Sequence, residues 1–121
     1  MDHRHEVLVV DDDVNVRRHF ADALQQTGVT VHAVSTGEEA VQLVRDHPQT
    51  CVVLADVRMP RMDGWDLERA LRRSVPDLPV VLLTADRLLS IRGGTVRDKP
   101  VSPADIDALV RTSCRQTQPV R

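Results

Sequence analysis

Apolar residues follow two rhythms along this chain. Val7-Leu-Val-Val10, Cys51-Val-Val-Leu-Ala55 and Pro79-Val-Val-Leu-Leu83 are short continuous apolar runs. Runs of four or five such residues, rich in valine and bounded by polar segments, read as strands buried on both faces. Val29-Thr-Val-His-Ala-Val34 is a strand by alternation and β-branching. Between the strands the period changes to that of a helix. From Asn15 to Thr27 the apolar stripe is Val16, Phe20, Ala23 and Leu24, and Gly28 stops it. Ser35 or Thr36 caps a second helix, with Glu38 or Glu39 closing a capping box, and that helix runs to about His47, ahead of Pro48. Trp65 to Ser74 forms a third, burying Leu67, Ala70 and Leu71. Thr95 to Asp98 is a short fifth strand. Ser102-Pro103 then opens a last helix as N-cap and first residue; it buries Ile106, Leu109 and Val110 and frays after about Cys114. The expected division is one domain over residues 1–115 and a disordered tail over 116–121.

Strands alternating with helices predict an α/β fold, a parallel five-stranded sheet covered on both faces and doubly wound by right-handed crossovers. Ligands of such sheets bind beyond the carboxyl ends of the strands. The residues expected there carry chemistry. Asp11, Asp12 and Asp13 follow the first strand, Asp56 the third, Thr84 the fourth and Lys99 the fifth. Carboxylates converging from two strands repel each other and call for a cation. All-oxygen donors in small number suit Mg²⁺, which retains several waters. A cation, a hydroxyl and a lysine around one carboxylate are the parts of a phosphoryl-transfer site, although chemistry alone leaves open which aspartate attacks.

Composition narrows the picture. The 121 residues fit one domain, and 41% are hydrophobic, ordinary for a globular fold. A net charge of -2 gives no electrostatic footprint for nucleic acid or membrane surface. No stretch approaches the roughly 20 apolar residues of a membrane-spanning helix, and the start of the chain has no secretory pattern. Cys51 and Cys114 show no motif spacing, so reduced thiols and a cytoplasmic location are expected. Of the 16 basic residues only Lys99 is lysine, a compact point charge where every other cation is a planar fork.

Val9-Val-Asp-Asp-Asp13, Asp56-Val-Arg-Met-Pro-Arg-Met-Asp-Gly64, Leu83-Thr-Ala85 and Lys99-Pro100 together resemble, in order, the landmarks of the response-regulator receiver domain of two-component signalling. The resemblance covers residues 6 to about 114. It implies a flavodoxin-like strand order 2-1-3-4-5. It also implies that Asp56 accepts a phosphoryl group from a histidine kinase or phosphotransfer protein with Mg²⁺, changing a protein-binding face. The implied metal ligands are Asp12, bound directly, Asp11, acting at least through water, Asp56 and the backbone carbonyl of Arg58. Thr84 and Lys99 would contact phosphoryl oxygens, a cis bond would precede Pro100, and the chemistry would stop at self-phosphorylation and autodephosphorylation. Asp13 is left as added negative potential or a cap for the first helix. Expected partners are the kinase and a downstream protein, without nucleic acid or membrane, for a monomer or weak homodimer.

The chain departs from that family twice. Only residues 85–98 separate Thr84 from Lys99, which predicts a short or missing fourth helix, an irregular 86–94 segment and an exposed apolar patch from Leu88, Leu89 and Ile91. Arg58 and Asp86 are placed to pair across the mouth of the site. Val96 stands where the family usually has an aromatic; the chain has no tyrosine, and its aromatics are Phe20 and Trp65. These departures leave an alternative, a pseudo-receiver that signals by contact without phosphate. A haloacid-dehalogenase-like phosphatase is disfavoured because Asn15 stands where that motif wants threonine or valine. His3 and His5 form a terminal His-x-His pair of low metal-binding promise, His19, His32 and His47 read as surface or half-buried, Trp65 as helix-entry packing, and Met59 and Met62 as shaping the loop after Asp56.

Overall fold

The computed structural model describes residues 6–84, the strand 96–98, and positions 104, 108 and 110–112 of a helical segment. The elements are β1 (Glu6–Val10), α1 (Val14–Gln25), β2 (Thr30–Val34), α2 (Gly37–Asp46), β3 (Thr50–Asp56), α3 (Gly64–Ser74), β4 (Val80–Thr84) and β5 (Val96–Asp98). All strand pairs are parallel, in the order β2-β1-β3-β4-β5. This is the expected α/β sheet and strand order. The expected shortening of the fourth helix, the loop 86–94 with its apolar patch and the 116–121 tail all lie outside the described residues.

The continuous apolar runs explain the two covered faces. Alternate side chains of one strand enter different cores. Val7 and Val9 of β1, Val52 and Leu54 of β3, and Val81 and Leu83 of β4 pack with Phe20, Ala23 and Leu24 of α1 and with Val110. Leu8 and Val10, Val53 and Ala55, and Val80 and Leu82 pack with Ala40 and Val44 of α2 and Leu67 and Leu71 of α3. Val7, Leu8, Val52, Val53 and Leu82 are fully buried. At about 1.5–3 kcal/mol for each large side chain removed from water, the three inner strands dominate the stability of the fold.

Local signals set the helix ends. Asp13 is the N-cap of α1, accepting from the N–H of Asn15 and of Val16, which resolves its role as a cap. Gly28 has φ of 87°, the left-handed conformation that ends α1 and turns the chain into β2. Thr36 caps α2 through the N–H of Glu39, and the Glu39 carboxylate accepts from the hydroxyls of Ser35 and Thr36. Those hydroxyls, Ser35 first, hold the Glu39 carboxyl below its ordinary pKa. Asp63 and Asp66 form a capping box at the start of α3.

One expectation changes. Cys51 is buried in β3 and disulfide-bonded, with its partner outside the described residues. Widely separated cysteines carry no sequence signal for pairing, because the fold alone decides which thiols meet.

Gly64 is required by contact rather than by conformation. A Cβ built there would lie 2.6 Å from the Asp56 carbonyl oxygen and 2.8 Å from the Val57 Cα, both backbone atoms. Gly64→Ala is expected to cost about 1–3 kcal/mol, the range of a forced overpacking, read as a lower denaturant midpoint at unchanged slope. Thr36→Ala should cost about 1 kcal/mol through the lost cap. The Glu39 carboxyl has a lowered folded pKa, so its contribution is complete above the ordinary carboxylate pKa and fades as pH falls through the lowered value. Parallel acid titrations of the wild type and Ser35→Ala/Thr36→Ala should therefore draw closer as the pH falls through that range, down to the constant gap left by the lost Thr36 cap.

Candidate functional site

The parallel register brings the carboxyl ends of the inner strands to one edge. Val10 of β1 is level with Ala55 of β3, so Asp11 leaves β1 beside Asp56, the last residue of β3. Leu83 of β4 is level with Asp56, and Thr84 follows it. Because β1 pairs with β2 on one side and β3 on the other, this edge is also where the winding reverses, the place for a ligand crevice in such sheets.

Carboxylate oxygens of Asp11, Asp12 and Asp56 lie within 4.8 Å of one another. Asp11 is buried, 3% exposed, while Asp12 is exposed and Asp56 half-buried. Asp11 is fixed from several sides. Its N–H donates to the Val34 carbonyl at 3.2 Å, its Oδ1 accepts from the Asp13 N–H at 2.9 Å, and its carbonyl accepts from Arg17 Nη1 at 2.8 Å. Asp56 Oδ1 accepts from the Arg58 N–H at 3.2 Å, which curls the chain so that the Arg58 backbone stays beside the carboxylate. Thr84 is a buried polar residue, 2% exposed, at the end of the adjacent strand.

At such separations two full negative charges repel by roughly 3–4 kcal/mol for an effective dielectric constant of about 20. Three carboxylates, two of them held by backbone N–H groups, therefore form a site suited to a hard cation. The donor set of oxygens alone matches Mg²⁺ and disfavours ions that seek nitrogen or sulfur. Asp13, the third acid of the run, is spent on the α1 cap instead.

The loop after Asp56 is built to stay in place. Val57 N–H donates to the Leu83 carbonyl at 3.0 Å, and Gly64 N–H to the Val57 carbonyl at 2.8 Å. Arg61 takes a positive φ of 67° at the apex. Met59 is buried, and Met62 and Trp65 pack against the core beneath α2 and α3, as expected for loop shaping and helix-entry packing. Val57, Arg58, Met59, Pro60, Asp63 and Trp65 line an open depression of about 540 Å³ on the α3 side of the loop. β5 ends at Asp98, level with Thr84. Lys99, the bond to Pro100 and the Arg58–Asp86 pairing lie outside the described residues. So the described structure brings together Asp11, Asp12, Asp56 and the Arg58 backbone, with Thr84 on the neighbouring strand.

The family profile described as "Response regulator receiver domain" matches residues 7–97. "Response regulator MprA" of Mycobacterium leprae is 36% identical over 121 residues, covering 93% of this chain and 52% of that protein. "Probable transcriptional regulator ycf27" of Cyanophora paradoxa is 34% identical over 121 residues, covering 93% of this chain and 49% of that protein. The chain thus spans about half the length of these curated relatives. Among solved structures, the chemotaxis protein CheY4 of Vibrio cholerae superposes with a TM-score of 0.80 at 25% identity, over 91% of this chain and 98% of that one. Sequence match, strand order and the acidic edge agree: the chain belongs to the response regulator receiver domain family, a signalling module of two-component systems rather than a classical enzyme.

Proposed function

We propose that Asp56 is the phosphoacceptor of this domain and that a partner histidine kinase, or a phosphotransfer protein, is its donor. The observation that carries the reading is the meeting of Asp11, Asp12 and Asp56 at the carboxyl edge, with their carboxylate oxygens within 4.8 Å of one another. Asp56 stands on the central strand with its carboxylate oriented by the Arg58 N–H. In the transfer, a carboxylate oxygen of Asp56 forms a bond to phosphorus while the nitrogen–phosphorus bond of the donor phosphohistidine breaks, and the imidazole leaves with that electron pair. Thr84, at the end of β4, donates its hydroxyl to one phosphoryl oxygen, and Lys99 pairs with another.

Asp11, Asp12, Asp56 and the Arg58 carbonyl would hold Mg²⁺, which when bound neutralises charge on the phosphoryl oxygens. The burial and hydrogen bonds of Asp11 make it the fixed anchor of this set, and exposed Asp12 the adaptable one. Phosphorylation then alters a protein-binding face, and the output goes to a downstream protein as a monomer or weak homodimer. No helix among the described residues is long and apolar enough to cross a membrane. We place the domain in the cytoplasm, where a reducing environment would open the Cys51 disulfide to thiols. The receiver unit is taken as residues 1–115.

A second reading, signalling by contact without phosphate, is favoured by Val96. This residue of β5 stands where the family usually has an aromatic, so the common switch is altered. Treatment with acetyl phosphate and Mg²⁺ separates the two. One labile phosphoryl group on the wild type, read by intact mass, and none on Asp56→Asn supports the first reading. An unmodified wild type supports the second, and a full mass increase in Asp56→Asn removes Asp56 as acceptor. For the cation, Asp12→Asn is expected to weaken Mg²⁺ binding by roughly tenfold, through loss of a charged oxygen donor. Asp13→Asn should change it by less than about twofold, since asparagine caps a helix as well as aspartate does. Titration followed by Trp65 fluorescence or calorimetry measures both, and equal losses would assign the cap residue to the metal.

A further inference from the structure

The opposite end of the sheet gathers a second set of ligand-capable side chains. Glu6 opens β1, His32 lies within β2, and His47 is the C-cap of α2. A Glu6 carboxylate oxygen and one ring nitrogen from each histidine lie within 4.8 Å of one another. Glu6 Oε1 and His32 Nε2 are 3.1 Å apart. The rings of His32 and His47 have centroids 4.7 Å apart and are tilted by 35°. All three residues are half-buried, the Glu6 side chain 14% and the His32 side chain 25% exposed.

We propose that Glu6, His32 and His47 form a second cation site, selective for Zn²⁺ over the hard ions suited to the acidic edge. Two imidazoles and one carboxylate are a donor set for Zn²⁺, leaving a fourth position for water. Mg²⁺ prefers oxygen alone and keeps its waters, so the two ends of the sheet sort cations by chemistry. The geometry is close to that required. Tetrahedral ligands at bonds of about 2.0–2.1 Å stand roughly 3.4 Å from each other. The Glu6–His32 separation already matches, and the widest spacing in the cluster needs to close by no more than about 1.5 Å, within reach of side-chain rotation.

The backbone holds the three in register. Glu6 is level with Thr50 of β3, but Val7 is level with Val52, so the register shifts by one residue beside Glu6. Thr50 donates both its N–H, at 3.0 Å, and its hydroxyl, at 2.8 Å, to the His47 carbonyl. The His47 N–H donates to the Leu43 carbonyl at 2.8 Å. His47 is thereby tied to the last turn of α2 and to the start of β3, over the face of the sheet that carries Glu6 and His32. An ion bound here would join β1, β2 and α2, and would stabilise the folded state by mass action.

The test is calorimetric titration of the full chain with ZnCl₂ near pH ~7.5, where free imidazole is mostly neutral, with Mg²⁺ in excess to occupy the acidic edge. One Zn²⁺ is expected to bind. His32→Gln and His47→Gln should each weaken it by more than about tenfold, and Glu6→Gln should weaken it as well. Asp11→Asn/Asp12→Asn and His3→Gln/His5→Gln should retain it, and Zn²⁺ should raise the melting temperature of both double variants and of wild type. A cooperative thermal transition by circular dichroism confirms that the histidine variants are folded, and the two histidine positions give independent readings. Absence of Zn²⁺ binding by wild type overturns the proposal. So does binding that survives both His32→Gln and His47→Gln, or that disappears with the aspartate pair or the terminal histidines.

Discussion

The constraint on which this molecule depends is the repulsion among Asp11, Asp12 and Asp56. Three carboxylate groups within 4.8 Å are unfavourable by themselves, and something must hold them there. What holds them is the central part of the sheet, where β1, β3 and β4 are buried on both faces. A parallel strand buried on both sides has no room to slip, because a shift of one residue would exchange its two cores. Val7 and Val9 belong to the α1 side, Leu8 and Val10 to the α2 and α3 side, and the acids fall at the edge as a consequence. Hydrophobic burial thus supplies the rigidity that keeps like charges together, in an arrangement whose oxygens suit a hard cation.

The loop between β3 and α3 transmits the same order to the far side of Asp56. Gly64 lets the first turn of α3 press against the Asp56 and Val57 backbone, closer than any side-chain-bearing residue could. Asp63, immediately before it, closes a capping box with Asp66, so the helix begins at a defined point. Arg61 turns the chain with a positive φ, and Met62 fills the space over Gly37 of α2. One short segment therefore fixes the backbone at Asp56, starts a helix and joins two helices of the same layer.

The two ends of the sheet differ in chemistry for a reason of composition. The carboxyl edge collects aspartates, short side chains that keep oxygen donors close to the backbone. The amino end collects Glu6, His32 and His47, longer side chains that reach toward each other over the α2 face. Each set spans separate elements: strand register brings Asp56 beside the adjacent pair Asp11 and Asp12 and sets β2 with His32 next to β1 with Glu6, while His47 comes from the end of α2.

By itself, the sequence determined the alternation of strands and helices, the two-faced burial of the inner strands, the helix stop at Gly28 and a cap at Ser35 or Thr36, and it offered Asp13 as another. Each depends on residues within a few positions of one another, where period, propensity and capping act directly. It also marked Asp11, Asp12, Asp56 and Thr84 as one edge, because residues that follow strands in such a sheet must lie together. Only the tertiary structure decided the rest. The steric need for glycine at position 64 comes from a carbonyl eight residues earlier, met only when α3 docks. The pairing of Cys51 and the gathering of Glu6, His32 and His47 are contacts between distant segments, and the scattered histidines carried no spacing that announced them. Local rules act over a few residues; register and docking bring together atoms that the chain keeps far apart.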